Sequence, residues 1–439
     1  MQDTGRELLA QLQARGLIAQ QSSEDELESH LDKSITLYCG FDPTADSLHI
    51  GSLVPLLVLR RFQQAGHRPI ILLGGSTGLI GDPSFKAEER KLNSPDVVAG
   101  WVDKLRAQTR QFVDFDTTAP NRALIVNNLD WTKGVHVLDF LRDVGKHFSI
   151  NSMISRESVK QRIDRQGAGM SFTEFSYSLL QGLDFAELYR RHTCTLQIGG
   201  SDQWGNIVGG IDLSRRQSKA HCYGITMPLI VKSDGTKFGK TEAGTVWLDA
   251  TKTSPYSFYQ FWLNVADVDV YRFLGYFTFL SLEEIAAVET RDQASQGRPE
   301  AQALLASEVT RLVHGELGLS AAERITQVLF SGDASGLDKT DFEQLEQDGL
   351  PTSTLNDEND MPLTQLLVDS GMVSSGREVK DALGRNSVYI NGEAKSSNDN
   401  MSGRENFTRG KAYFGRYFLV RLGKKKYHLL RYPSVALGL

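Results

Sequence analysis

The chain has 439 residues, 40% of them hydrophobic and 23% charged, with a net charge of −6. That length exceeds one ordinary core, so two or three domains are expected. The most apolar window, Leu53 to Leu59, ends at Arg60 and Arg61, too short to span a membrane, and Cys39, Cys194 and Cys222 have no metal-ligand spacing and cannot all pair, which favours a reducing, cytoplasmic setting.

Residues Met1 to Gln20 scatter Arg6, Glu7 and Arg15 among apolar positions and read as an amphipathic helix, unlike a secretory leader. From residue 35 to about 230, apolar runs at Ile35 to Phe41, Pro69 to Leu73, Ala123 to Val126 and Thr195 to Ile198 alternate with longer helical patterns. This rhythm predicts an α/β fold, with a Rossmann-like parallel sheet in a first domain over 1–230. Gly-rich turns follow the runs at Gly74-Gly75-Ser76, Gly81-Asp82-Pro83 and Gly199-Gly200-Ser201-Asp202. In such sheets ligands gather beyond the carboxyl ends of the strands, where these turns fall.

Inside this region Leu-His-Ile-Gly-Ser at 48–52 opens a helix-like stretch, so His49 and Gly51 sit where free N–H groups and the helix dipole attract anions. Further on, Ser171 and Glu174 form a capping box that starts a helix, and Tyr177, Gln181 and Asp184 then share one helix face. Three polar groups among Phe172, Phe175, Leu180 and Leu183 describe a small-molecule pocket. An exposed face would carry cations, and no Lys or Arg occurs between Arg165 and Arg190. Downstream, Lys237-Phe238-Gly239-Lys240-Thr241 sets two ammonium groups around a glycine that lets backbone approach a ligand. With 48–52 it predicts a site that handles the phosphates of ATP.

After Asp249 the aromatic-rich run Ser254 to Leu280 and the stretch to Gln347 read as successive helices, so 231–347 is expected to hold the second phosphate loop and an α-helical domain. Residues 348–360, with Pro351, Asn356, Asp357 and Asn359, read as a linker. Beyond it, 361–439 is basic, with 13 Lys and Arg against 6 Asp and Glu, set on an acidic body. A basic tail on an acidic body points to a polyanionic partner such as RNA. In the tail Ser375 and Glu378 form a capping box, and Ser387 to Ile390 followed by Asn391-Gly392 signals a strand and tight hairpin, making a small α+β module.

The segments 48–52 and 237–241 resemble the HIGH and KMSKS signatures of class I aminoacyl-tRNA synthetases, and the run Tyr38 to Ser52 with the face at 177, 181 and 184 narrows this to the tyrosyl enzymes of bacterial type. The resemblance runs from about residue 5 to the C-terminus. It implies activation of L-tyrosine with ATP to tyrosyl-adenylate, with release of pyrophosphate, and transfer of tyrosine to the 3′ end of tRNA(Tyr). By that resemblance Tyr38 and Asp184 meet the substrate phenol, Tyr177 and Gln181 its α-amino group, Asp82 pairs with the ammonium, and Gln197 lies nearby. Cys39, Gly40, Asp42, Gly51, Gly200, Asp202, Gln203 and Lys240 would hold ATP. Thr44 and His49 would stabilise charge at the reacting phosphates, and Lys86, Arg90, Lys237, Lys240 and Thr241 would close over pyrophosphate.

One position departs from the family: its fourth residue of the first signature is usually His and here is Ser52, shorter and unable to carry charge. The resemblance further implies magnesium with ATP, no protein metal site, no membrane partner, and a homodimer through Val137 to Phe148. It gives the helical domain the anticodon arm and makes the tail similar to an RNA-binding module of a ribosomal small-subunit protein, with Arg377, Lys380 and Lys424 to Lys426 toward phosphates. A tryptophanyl enzyme is disfavoured by the 177, 181 and 184 triplet, a small-molecule nucleotidyltransferase by the tail, and a non-catalytic RNA-binding descendant by the presence of both signatures.

Overall fold

The computed structural model describes residues 4–83, 92–155, 159, 160, 163, 170–231, 233, 235, 238–241, 244–297, 299–332, 334–355, 362–401 and 403–433. The chain packs as two units, Met1–Asp249 with Ala266–Ala301, and Ala250–Val265 with Gln302–Leu439.

The first unit is built on six strands: β1 (Gln20–Gln21), β2 (Thr36–Phe41), β3 (Arg68–Leu73), β4 (Leu124–Asn127), β5 (Cys194–Gly200) and β6 (Tyr223–Met227). They lie in the order β1-β6-β5-β2-β3-β4, and all neighbours are parallel except β1 with β6. The four apolar runs of the sequence become β2 to β5. The strands β1 and β6 escape the pattern because β6 is short and broken by Gly224, and β1 is two polar glutamines recruited by pairing with β6. Strand β2 is the pivot: the chain runs outward through β3 and β4, then returns on its other side as β5 and β6. A crevice therefore opens at the carboxyl ends of β2 and β5.

Helices cover the sheet because their apolar stripes need a partner surface. Leu53–Gln64 buries Leu53, Leu56, Leu57 and Phe62, and Phe172–His192 sends Phe185 and Leu188 into a core with Tyr38, Ile70, Leu72 and Trp131. Burying each such side chain contributes roughly 1.5–3 kcal/mol. The N-terminal helix Gly5–Ala14 is capped by Thr4 with a reciprocal Glu7 bond. Ser171 caps its helix through the Glu174 N–H at 3.2 Å, while Glu174 itself is buried.

After β6 the chain forms a short hairpin of β7 (Lys240–Thr241) and β8 (Gly244–Thr245). The helices Asp267–Phe277 and Leu282–Ala294 then belong to the first unit, so the helical region does not pack as one body as its continuous pattern suggests. In the second unit β9 (Thr352–Thr354), β10 (Val388–Ile390), β11 (Glu393–Lys395), β12 (Tyr417–Leu422) and β13 (Lys426–Arg431) form a sheet in the order β11-β10-β12-β13-β9.

Strand β9 corrects the linker expected over 348–360. Three β-capable residues after Pro351 pair in parallel with Leu429 to Arg431, and Asp348 accepts from the Ser254 N–H at 2.9 Å. The tail hairpin is as expected, with Asn391 and Gly392 at φ 51° and 86° between β10 and β11. A core of Ile325, Val328, Phe342 and Leu345 with Tyr417, Leu419 and Leu429 joins helices to tail. Among the described residues no helix is long and apolar enough to cross a membrane.

Candidate active site

A cavity of about 560 Å³ occupies the crevice beyond β2 and β5, and it collects residues spread from Tyr38 to Phe238. Its floor is set by strand register. Tyr38 on β2 and Gln197 on β5 are Cα partners on adjacent strands, so their side chains emerge side by side. From the helix above, Tyr177, Gln181 and Asp184 face the same space, as their spacing requires.

Asp184 is 2% exposed. Its carboxylate accepts from Asn128 Nδ2 and from Trp131 Nε1, both at 2.9 Å. Burial pushes its pKa up to about 7, against the lowering effect of those two bonds. Asn128 is itself fixed, since its Oδ1 takes the Ser76 N–H at 2.7 Å and its Nδ2 also reaches Thr77 Oγ1 at 2.9 Å.

The Tyr177 hydroxyl donates to Asp42 Oδ2 at 2.7 Å, and Thr77 donates to Asp42 Oδ1 at 2.6 Å. Burial, then the Asp42 charge, raises the Tyr177 pKa well above its usual value. Among the described residues three buried polar atoms here have no partner: Tyr38 Oη, Gln181 Oε1 and Gln197 Oε1. An unpaired buried polar atom is costly. Three around one cavity describe a surface completed by a polar ligand.

The other half of the cavity is lined by Cys39, Gly40, Thr44, His49, Gly51, Ser52, Gly200, Asp202 and Gln203. His49 caps a short helical turn, its Nδ1 accepting the Gly51 N–H at 3.0 Å. A neutral ring therefore carries its proton on Nε2. Gly51 is needed for this fold-over, because a Cβ there would lie 2.8 Å from the His49 ring. Ser52 makes no capping bond, although it precedes the helix Leu53–Gln64. Gln203 Nε2 donates to Asp82 Oδ2 at 2.7 Å and to Asp202 Oδ2 at 3.3 Å, holding two carboxylates at one edge. Burial, then the Asp82 charge, raises the Asp202 pKa. Burial pushes the Cys39 thiol up to about 12, so it stays a neutral thiol. Among the described residues no cluster of three His, Cys, Asp or Glu can hold a metal ion.

The two signature segments meet. Val246 takes Ile50 N–H on its carbonyl at 3.0 Å and gives its own N–H to Gly239 at 2.9 Å, while Leu248 N–H bonds to Leu48. Lys86, Arg90 and Lys237 lie outside the described residues, and Lys240 and Thr241 are described through the backbone of β7. Every other expected tyrosine and ATP residue lines the one cavity.

Sequence reasoning missed Asn128, Trp131 and Thr77. A faint signal exists for the first: Asn127 ends β4 and Asn128 directly follows it, at the strand end where ligand-facing groups collect.

The family described as "tRNA synthetases class I (W and Y)" matches residues 30–331, and the "Tyrosine--tRNA ligase SYY-like C-terminal domain" matches 341–430. The chain is 59% identical over 424 residues to a tyrosine--tRNA ligase of Aliivibrio fischeri (strain MJ11), covering 96% of this chain and 98% of that protein. It is 56% identical over 430 residues to one of Neisseria meningitidis serogroup A, covering 96% and 99%. Among solved structures, a C-terminally truncated Aspergillus nidulans mitochondrial tyrosyl-tRNA synthetase is similar at a TM-score of 0.66 and 30% identity, over 74% of this chain and 94% of that one.

Proposed function

The chain belongs to the class I tyrosine–tRNA ligases, and from that premise we propose how its own residues carry the reaction. The observation behind this reading is the trio of atoms without a partner among the described residues, Tyr38 Oη, Gln181 Oε1 and Gln197 Oε1, in one cavity with the buried Asp184.

L-Tyrosine places its phenol against Tyr38 and Asp184. Its ammonium reaches Gln181, Tyr177 and Asp82, near Gln197. A phenylalanine side chain would leave Tyr38 Oη buried without a partner and deprive Asp184 of the phenol donor, which disfavours it. Asn128 and Trp131 orient the Asp184 carboxylate, and Asp42, itself held by Thr77, accepts from the Tyr177 hydroxyl. ATP lies along Cys39, Gly40, Asp42, Gly51, Gly200, Asp202 and Gln203, with Asp202 toward the ribose.

The tyrosine carboxylate is ionised at neutral pH, so the first step needs no general base. It attacks the α-phosphorus, and the bond to the bridging oxygen breaks as pyrophosphate leaves with the electron pair. Thr44 and the Nε2–H of His49 donate to phosphate oxygens as charge builds there, and Lys86, Arg90, Lys237, Lys240 and Thr241 stabilise the leaving pyrophosphate. Positioning and fixed charge carry the rate. The terminal ribose hydroxyl of tRNA(Tyr) then attacks the adenylate carbonyl and expels AMP.

Magnesium would enter with ATP as part of the substrate, and no step is assigned to it. The exposed helix Val137–Asp143, with no buried residue, supports a homodimer through this face. Three buried thiols without disulfides support a cytoplasmic setting. Exposed Arg377, Lys380 and Lys424 to Lys426 are the proposed phosphate contacts of the tail. ATP–pyrophosphate exchange tests the pocket: exchange should require tyrosine, and equal exchange with phenylalanine would overturn the reading.

A further inference from the structure

The segment that carries the second signature is fastened to one helix of the first unit. In Asp267–Phe277, Asp269 is 3% exposed. One of its carboxylate oxygens accepts the Ser233 N–H at 3.0 Å, and the other accepts Arg272. Arg272 Nη2 also donates to the Val231 carbonyl at 3.2 Å. One turn further, Phe238, within the signature itself, sets its ring edge-on to Phe273 at 4.7 Å and stacked on Phe277 at 5.6 Å. The same Phe238 and Val231 line the ATP-side cavity.

A buried carboxylate is expensive unless both oxygens are paired. Here one pairing is a side chain of its own helix and the other is loop backbone, so the ion pair and the loop conformation depend on each other. Neither Asp269 nor Arg272 lines the cavity, and a purely structural pair would not need to clamp the two residues that lead into the phosphate loop.

We propose that Asp269, Arg272 and the Phe273–Phe277 pair are positioning residues for adenylate formation. They fix the stem of the second signature at Val231, Ser233 and Phe238, so that its cations return to one place over the leaving pyrophosphate in each turnover. Charge on a loop stabilises a transition state only when its position is set beforehand; otherwise ordering the loop consumes the gain. A misplacement of about 1 Å can cost about 100-fold in rate.

This inference rests on the reading of Lys237 and Lys240 as pyrophosphate-binding groups, and the test separates the two. In the full-length protein, single-turnover adenylate formation is measured for Arg272→Lys, Arg272→Ala, Asp269→Asn and Phe238→Leu, together with tyrosine Kd by equilibrium dialysis and Tm. The expected result is a rate loss of about 10- to 100-fold for Arg272→Ala, with tyrosine Kd unchanged and partial rescue in Arg272→Lys. Combined with Lys237→Ala and Lys240→Ala, the Arg272→Ala loss should largely vanish, because groups that act as a unit are not additive. A purely structural role would instead weaken tyrosine binding in step with the rate, or add fully in the lysine-free background, and either overturns the proposal. If the lysine variants alone leave the rate unchanged, the reading of the loop cations fails. If they slow it and none of the four anchor variants does, only the anchor fails.

Discussion

Gly239 of the second signature lies against Ile50 of the first, at a positive φ of 81°, and a Cβ on Gly239 would overlap Ile50 Cγ2. Val246 bonds to both through its backbone. Two segments almost two hundred residues apart are thereby held in van der Waals contact, and the contact is tight enough to exclude any side chain at 239. Gly239→Ala should push the second loop off the first and slow adenylate formation by about 10- to 100-fold, with tyrosine Kd unchanged. Stopped-flow measurement of the first step against equilibrium tyrosine binding checks this.

Burial raises the Asp184 carboxyl from 3.8 to about 7. In the unfolded chain the group ionises near its ordinary value, whereas the folded protein keeps the proton up to about 7. Its burial therefore costs no stability below pH ~4, costs progressively more as pH rises toward 7, and a constant amount above that. Asp184→Asn should gain stability relative to the parent over that window, seen as a Tm difference that grows from pH 4 to 7 and then levels. In the proposed pose the phenol donates to Asp184 and so favours the ionised carboxylate; tyrosine Kd should then tighten roughly tenfold between pH 6 and 8 and lose that dependence in Asp184→Asn.

Trp131 and Asn128 aim that carboxylate. Trp131→Phe keeps an aromatic body in the core and deletes one charge-assisted hydrogen bond, worth about 1.5–3 kcal/mol. Tyrosine affinity should fall by about tenfold or more, and the pH midpoint of binding should move upward as the ionised form loses a donor. A pH titration of tyrosine Kd in the variant would show an unmoved midpoint if Trp131 only fills space.

His49 and Ser52 differ in how they are held. The His49 ring is locked by the Gly51 N–H, while the Ser52 hydroxyl makes no cap bond. His49→Ala should therefore slow adenylate formation far more than Ser52→Ala, measured as the pre-steady-state rate at saturating tyrosine and ATP. An equal loss at Ser52 would show that a short neutral donor carries the phosphate at that position.

Glu346 in the second unit accepts Arg416 Nη2 at 2.8 Å and the Tyr417 hydroxyl at 2.6 Å, and it also meets Arg431. Phe342 stacks on Tyr417 with centroids 5.3 Å apart. Glu346→Ala leaves two partly buried guanidiniums short of a partner and should destabilise this unit by about 2 kcal/mol. The first unit contains the whole cavity, so tyrosyl-adenylate formation should persist while transfer to tRNA falls. Comparing pyrophosphate exchange with tRNA charging in one preparation checks the division. Because helices and tail share this core, removal of 361–439 should unfold more than the tail.

Much of this protein is legible as a string. The apolar runs that become β2 to β5, the face at Tyr177, Gln181 and Asp184, and the hairpin at Asn391-Gly392 all follow from local periodicity and backbone preference, which act over a few residues. The two signature segments were legible too, because His49-Ile50-Gly51 and Lys237-Phe238-Gly239-Lys240 are each contiguous in the chain. What tertiary structure alone decided is which distant groups become neighbours. Register between β2 and β5 puts Tyr38 beside Gln197. The segment after β4 brings Asn128 and Trp131 to Asp184, where their hydrogen bonds oppose the upward push of burial on its pKa. Backbone pairing draws Thr352 to Thr354 out of an apparent linker into a sheet, and Asp269 reaches from a helix to Ser233, just before the second signature. Desolvation and pairing energies depend on what surrounds a group in three dimensions, and no window of neighbouring residues contains that information.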